Sequence, residues 1–147
     1  MEHTIRLLSF VQNKTAFISH AQQRILETVT PLFPDAENFR TYDNDKAALR
    51  GLEEAFQSST LVVLGVESGP FLSFKRLLIR ALGLTEDSDA DILTRIAESG
   101  EGVGDALAAS HTLMPAGATV FCSEDGFYSG FACVSGPQHL LLIPLDP

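Results

Sequence analysis

Two short stretches hold residues whose types and spacing could do chemistry. The first, VESGPFLSF (66–74), sets the carboxylate of Glu67 beside Ser68, Gly69 and Ser73. A hydroxyl and a glycine at a helix start can turn backbone N–H groups toward an anion, so this stretch either cradles a phosphate-like group or simply caps a helix. The second, SEDGFYSGF (123–131), contributes Ser123, Asp125, Gly126 and Gly130, together with three aromatics. Glu67, Glu124 and Asp125 can form an acidic site at one end of a sheet, or be solvated loop acids of an acidic chain. Phe127, Tyr128 and Phe131 can stack on a planar ligand, or pack over a sheet edge or into a subunit contact. Neither alternative is closed by the residues alone.

Other candidate chemistry is thin. His111 follows Ser110, but no third group orients the pair, so no catalytic residue is assigned. His3, His20 and His139 have no evident partner, and no cysteine or histidine stands at metal-ligand spacing, so no metal is expected. Cys122 and Cys133 sit in apolar runs and read as two buried thiols rather than a disulfide or a metal pair. There is no G-x-S-x-G elbow and no P-loop, and the G-x-G of GEGVG (100–104) does not directly follow a strand.

The elements that must position these residues follow from hydrophobic period. TIRLLSFV (4–11) and TLVVLGV (60–66) are apolar runs suited to the middle of a parallel sheet, and NFRTY (38–42) is a short strand between them. From 14 to 30 the period becomes helical through Phe17, Ile18, Ala21, Ile25, Leu26 and Val29, and Pro31 and Pro34 close the stretch. A second helix is capped by Asp45, with Ala48, Leu52, Ala55 and Phe56 on its apolar face. A third covers 71–83, with Phe74, Leu77, Leu78 and Leu82 inward and Gly83 at its end. A fourth follows Asp89, and helix resumes from Val103. TVFCS, FACVS and HLLLIP then read as three strands. The order β-α-β-α-β-α-α-β-β-β predicts a three-layer α/β/α sandwich, its sheet mostly parallel with a C-terminal antiparallel hairpin.

Bulk composition narrows the function classes. The 147 residues, 45% apolar, suit a single domain spanning 1–147, plausible as a unit excised from a longer protein. The net charge of −9, from 19 acidic and 10 basic residues, argues against nucleic-acid and anionic-membrane surfaces. No 18-residue apolar run and no basic-then-apolar leader is present, so the chain reads as cytoplasmic.

Three stretches taken together resemble the molybdopterin-binding domain family, in particular the N-terminal domain of competence/damage-inducible, CinA-type proteins. LMPAGATVF (113–121) is similar to the family's P-x-G-A stretch. SEDGFYSGF falls on its N-P-x-G-T-A-P-G-F loop, with Gly126, Gly130 and Phe131 kept. LLIPLDP (141–147) falls on its terminal L-P-G-x-P, with Pro144 and Pro147 kept and Leu145 in place of the glycine. The resemblance covers nearly the whole chain. It implies a pterin or nucleotide ligand, with magnesium only if phosphate binding survives, and a homo-oligomer or an adjacent domain of the same polypeptide as partner.

The family turn G-G-x-G-P-T and its two following aspartates fall on VESGPF and on Ser73 and Phe74, so Val66 and Glu67 stand where glycines are expected and the acids are missing. The resemblance therefore implies a degenerate, non-catalytic binding, regulatory or assembly module. Two alternatives stay open: an enzyme or binder of a pterin or nucleotide phosphate with altered loops, and a purely structural oligomerisation domain. The ligand-facing candidates are Glu67, Ser68, Gly69, Ser73, Ser123, Asp125, Gly126, Gly130 and Pro144.

Overall fold

Branched and aromatic runs without helical period become the centre of a sheet, and the stretches with 3.6-residue period cover it. The computed structural model describes residues 4–99 and 104–146. His3, the expected helix start at Val103, and Pro147 lie outside the described residues. The first half alternates strictly: β1 (Ile5–Phe10), α1 (Ala16–Val29), β2 (Arg40–Tyr42), α2 (Asp45–Ser58), β3 (Leu61–Val66) and α3 (Ser68–Ala81). The second half runs β4 (Glu86–Ser88), α4 (Ala90–Glu98), α5 (Asp105–Thr112), β5 (Leu113–Pro115), β6 (Thr119–Phe121), β7 (Gly130–Ser135) and β8 (Gln138–Pro144).

Six strands form one sheet in the order β2-β1-β3-β8-β7-β6. β2, β1, β3 and β8 are parallel neighbours, and β7 runs antiparallel to both β8 and β6. The expected mixed α/β sandwich with a mostly parallel sheet is thus present. A separate antiparallel pair, β4 with β5, joins Glu86 to Pro115 and Ser88 to Leu113. These two strands have three residues each and no apolar alternation, and they are additions to the expected order.

The larger core lies on one face. Leu8, Phe10, Val62, Leu64, Leu140 and Leu142 of the sheet pack there against Ala48 and Leu52 of α2, Phe71, Phe74 and Leu78 of α3, and Ile92 of α4. Burying each of the larger of these side chains stabilises the fold by about 1.5–3 kcal/mol. The opposite face packs Ile5, Leu7 and Val63 against Ile25, Leu26 and Val29 of α1. The apolar clusters that α1 joins include no residue of β6 or β7, and Phe121 and Val134 are exposed.

Four local expectations are corrected. Asn44, not Asp45, caps α2, its Oδ1 accepting from Ala47 N at 2.9 Å, because Asp45 is already the first helical residue. α3 begins at Ser68, three residues before the expected start, so Ser68, Gly69 and Pro70 are its first turn; Pro70 is tolerated there because first-turn N–H groups have no helical acceptor. On that helix Leu77 is 36% exposed, and Lys75 takes the inward phase with Phe71, Phe74, Leu78 and Ile79. Cys122 and Cys133 are free thiols but only partly buried; both are pushed up in pKa, chiefly by burial.

Candidate functional site

The strand order places a crevice at the carboxyl ends of β1 and β3. The chain leaves β1 toward β2 on one side, while β3 pairs on the other, and ligands of open α/β sheets bind where the order reverses in this way. The loops after β3 and β8 lie at this same end, because Val66 is in register with Pro144. So does the loop between β6 and β7, because Gly130 opposes Phe121 and Phe131 opposes Leu142. The fold therefore brings the sequence candidates to one end of the sheet.

Their hydrogen bonds run inward, however. Glu67 is 8% exposed, and its Oε1 accepts from Gln12 N at 2.5 Å, so the carboxylate spans the crevice from β3 to the loop after β1. It turns away from the start of α3 and makes no cap there. The position is taken instead by Asp146. Ser68 N donates to Asp146 Oδ1 at 2.6 Å, and Ser68 Oγ donates to Asp146 Oδ2 at 3.0 Å. A carboxylate at a helix N-terminus is favourable for the reason a phosphate is, since it meets unpaired N–H groups and the positive end of the helix dipole.

The tail that delivers Asp146 is anchored. Leu145 N donates to Val66 O at 3.0 Å, and the Leu145 side chain is buried against Val11 and Ile18. It also fills the space above Gly65, where an added Cβ would lie 2.6 Å from Leu145 Cδ2. Leu145, at the position where the resembled motif has glycine, is thus a core residue that fixes the turn. Pro144 ends β8 and pairs in register with Val66.

The aspartate positions of the resembled motif hold no ligand set. Phe74 is in the core, edge-on to Phe10 with ring centroids 5.1 Å apart. Ser73 is exposed and donates to Pro70 O at 3.2 Å. Among the described residues no group of three or more His, Cys, Asp and Glu is arranged to hold a metal ion. The crevice itself is a recess of about 240 Å³ bordered by Gln12, Asn44, Asp45, Pro70 and Ser73. With Asp146 on the Ser68 amide and Glu67 across the crevice, these residues do not fit a phosphate-bearing pterin or nucleotide.

The loop at 123–131 is likewise satisfied from within. Ser123 Oγ donates to Phe127 O at 2.6 Å, Phe127 N donates to Asp125 Oδ1 at 3.0 Å, and Ser123 N donates to Ser129 Oγ at 3.0 Å. Ser129 Oγ donates in turn to Gly126 O at 3.2 Å, while Glu124 stays exposed. Gly126 has φ +89, and a Cβ there would lie 2.8 Å from Ile92 O. Tyr128, with φ 53, donates its N–H to His111 Nδ1 at 3.1 Å. The rings of Phe127 and Tyr128 stand edge-on to the imidazole at 4.9 and 4.8 Å. His111 is a buried acceptor that fixes this loop. Burial, and secondarily the charge of Lys75, lower its pKa against a smaller opposing effect of Asp125, and this favours the neutral ring the Tyr128 bond requires.

Asp146, Gln12 and Lys75 are the site residues that motif reading misses. Lys75 is legible in the period of α3, four residues after Phe71 and three before Leu78. Asp146 is not, since its partner is 78 residues away. Two substitutions test the local account. Gly69 has nothing within 4 Å of an added Cβ, so Gly69→Ala in the first turn of α3 should be neutral or stabilise by up to about 1 kcal/mol in urea denaturation. Asp146→Ala should destabilise by about 1 kcal/mol, since it strips a charged acceptor from a half-buried amide and hydroxyl.

Comparison with known proteins agrees at the level of fold. No family model matches the chain, and no curated protein matches it. Among solved structures it is similar to the crystal structure of the protein CinA, of unknown function, from Thermoplasma acidophilum. The TM-score is 0.74 at 16% sequence identity, covering 99% of this chain and 90% of that one. The fold is therefore CinA-like. No helix among the described residues is long and apolar enough to cross a membrane.

Proposed function

We propose that this CinA-like domain is a degenerate member of the molybdopterin-binding type that carries out none of the phosphate or metal chemistry of that family and serves as a binding, regulatory or assembly module. The observation that carries the reading is the pair of hydrogen bonds from Ser68 N and Oγ to Asp146. They put the chain's own carboxylate where a ligand phosphate would have to sit. A phosphate arriving there must displace Asp146 and approach Glu67, in a molecule whose net charge of −9 already repels anions at long range.

Calorimetric titration with a molybdopterin analogue, ATP, ADP-ribose and NAD, each with and without magnesium, tests the reading. No saturable heat is expected from any of them. Saturable binding that weakens when Ser68 is changed to Ala would replace this reading with that of a pterin or nucleotide binder with altered loops.

A second reading, a structural oligomerisation domain, is favoured by one observation. Phe121 and Val134 are exposed, 48% and 58% respectively. Exposed apolar residues near the two ends of β7 on one sheet face suit a second copy of the chain or a neighbouring domain. Sedimentation velocity decides between a monomer and a self-associating domain, and Val134→Lys should dissociate the latter.

A further inference from the structure

Lys75 is the only buried lysine or arginine among the described residues, 2% exposed in the middle of α3. Its Nζ donates to His111 O at 3.2 Å, its one hydrogen bond among the described residues. An ammonium has three donors, and buried donors are normally matched, so two have no acceptor among the described residues. The side chain lines a recess of about 350 Å³ between α3, β4 and the junction of α5 with β5. Leu72, Ile79 and Leu113 give the recess apolar walls, and Arg76 and Glu86 border it. Arg76 Nε lies 3.5 Å from Glu86 Oε1, so the acid of the recess is already paired. The balance there is two cations against one carboxylate, opposite in sign to the chain's net charge of −9.

We propose that this recess is a binding site for a small monocarboxylate with an apolar body, its carboxylate accepting from Lys75 Nζ and its body seated on Leu72, Ile79 and Leu113. One negative charge offsets the local excess, and carboxylate oxygens supply the acceptors that the ammonium lacks. The volume falls in the range of small-molecule sites, about 300–1,000 Å³. Binding depends on Lys75 being protonated. Burial brings its pKa down to about 8, Glu86 on β4 pulling the other way; Arg76 on α3 borders the same recess, and His111 on α5 contributes a carbonyl. Affinity therefore falls as pH rises through that value.

Titration of the whole chain with hexanoate and benzoate, followed by two-dimensional ¹H–¹⁵N NMR, tests the proposal, with hexanamide and benzamide as uncharged matches. Saturable shifts are expected at Leu72, Ile79 and Leu113 with the acids, and about tenfold weaker binding or more with the amides. Lys75→Met should lose about tenfold or more in affinity, Glu86→Gln should bind the acids more tightly, and wild-type binding should weaken between pH 7 and pH 9.5. Absence of saturable shifts with the acids, equal binding of acids and amides, or undiminished binding by Lys75→Met overturns the proposal. Should Lys75→Met fail to fold, the comparison of acids with amides on the wild-type chain decides it alone.

Discussion

Gly130→Ala is expected to destabilise the protein by about 3 kcal/mol or more, enough to remove a large part of the stability of an ordinary domain. Gly130 opens β7, and its missing side chain is what lets the chain pass over the end of β8. An added Cβ would fall on the carbonyl oxygen of Leu142 and lie 3.4 Å from Ile143 Cα. Both obstacles are backbone atoms of a central strand paired on each side, so neither can rotate away as a side-chain tip would. Urea denaturation of the purified variant measures the loss. A change below about 1 kcal/mol would mean that the β7–β8 pair yields and that packing does not demand glycine at 130. The contrast with Gly69, where a Cβ meets open space, separates a glycine that the packing demands from one that it does not.

Lys75→Met is expected to stabilise the protein at pH 7 by roughly 2 kcal/mol. Burial lowers the pKa of Lys75 from 10.5 to about 8, with Glu86 opposing, so the folded state holds the charged form at a disadvantage. Between those two values the unfolded chain binds more protons than the folded one, and wild-type stability rises with pH. Below about pH 8 the disadvantage is present in full, on the order of 3 kcal/mol for a shift of this size. Methionine has nearly the same length and no charge, and it forfeits the bond to His111 O, worth about 1 kcal/mol. The difference between variant and wild type should shrink as pH rises from 8 toward 10.5. The titrating thiols of Cys122 and Cys133 are common to both proteins and cancel in that difference. A variant less stable than wild type at pH 7, or a difference that does not change with pH, would show that Lys75 bears no such penalty.

The central strands were legible because an unbroken apolar run such as TLVVLGV has no other stable place than the middle of a sheet, and α1 and α2 were legible from their period. The pair β4–β5 was not, because EDS and LMP carry no alternation and exist as strands only through pairing between Glu86 and Pro115. A shared location was legible: Glu67, Ser68, Gly126 and Gly130 all lie at the end of the sheet where β3 and β8 finish. What they do there was not. The direction of a Glu67 carboxylate toward Gln12 rather than Ser68, and the arrival of Asp146 from 78 residues downstream, are settled by tertiary packing around Leu145. Lys75 shows a further limit. Hydrophobic reading assigns the inward phase of α3 to Leu77, although the helical spacing of Phe71, Lys75 and Leu78 places the lysine there.

Asp146 holds the anion position at the start of α3. The decisive measurement follows the Ser68 and Gly69 backbone amides in ¹H–¹⁵N spectra while ADP-ribose and magnesium are added to the wild-type chain. Both resonances should stay in place throughout the titration, and the Ser68 amide should shift when Asp146 is changed to Ala. Saturable movement of Ser68 together with Gly126 in the wild-type protein would contradict that role of Asp146.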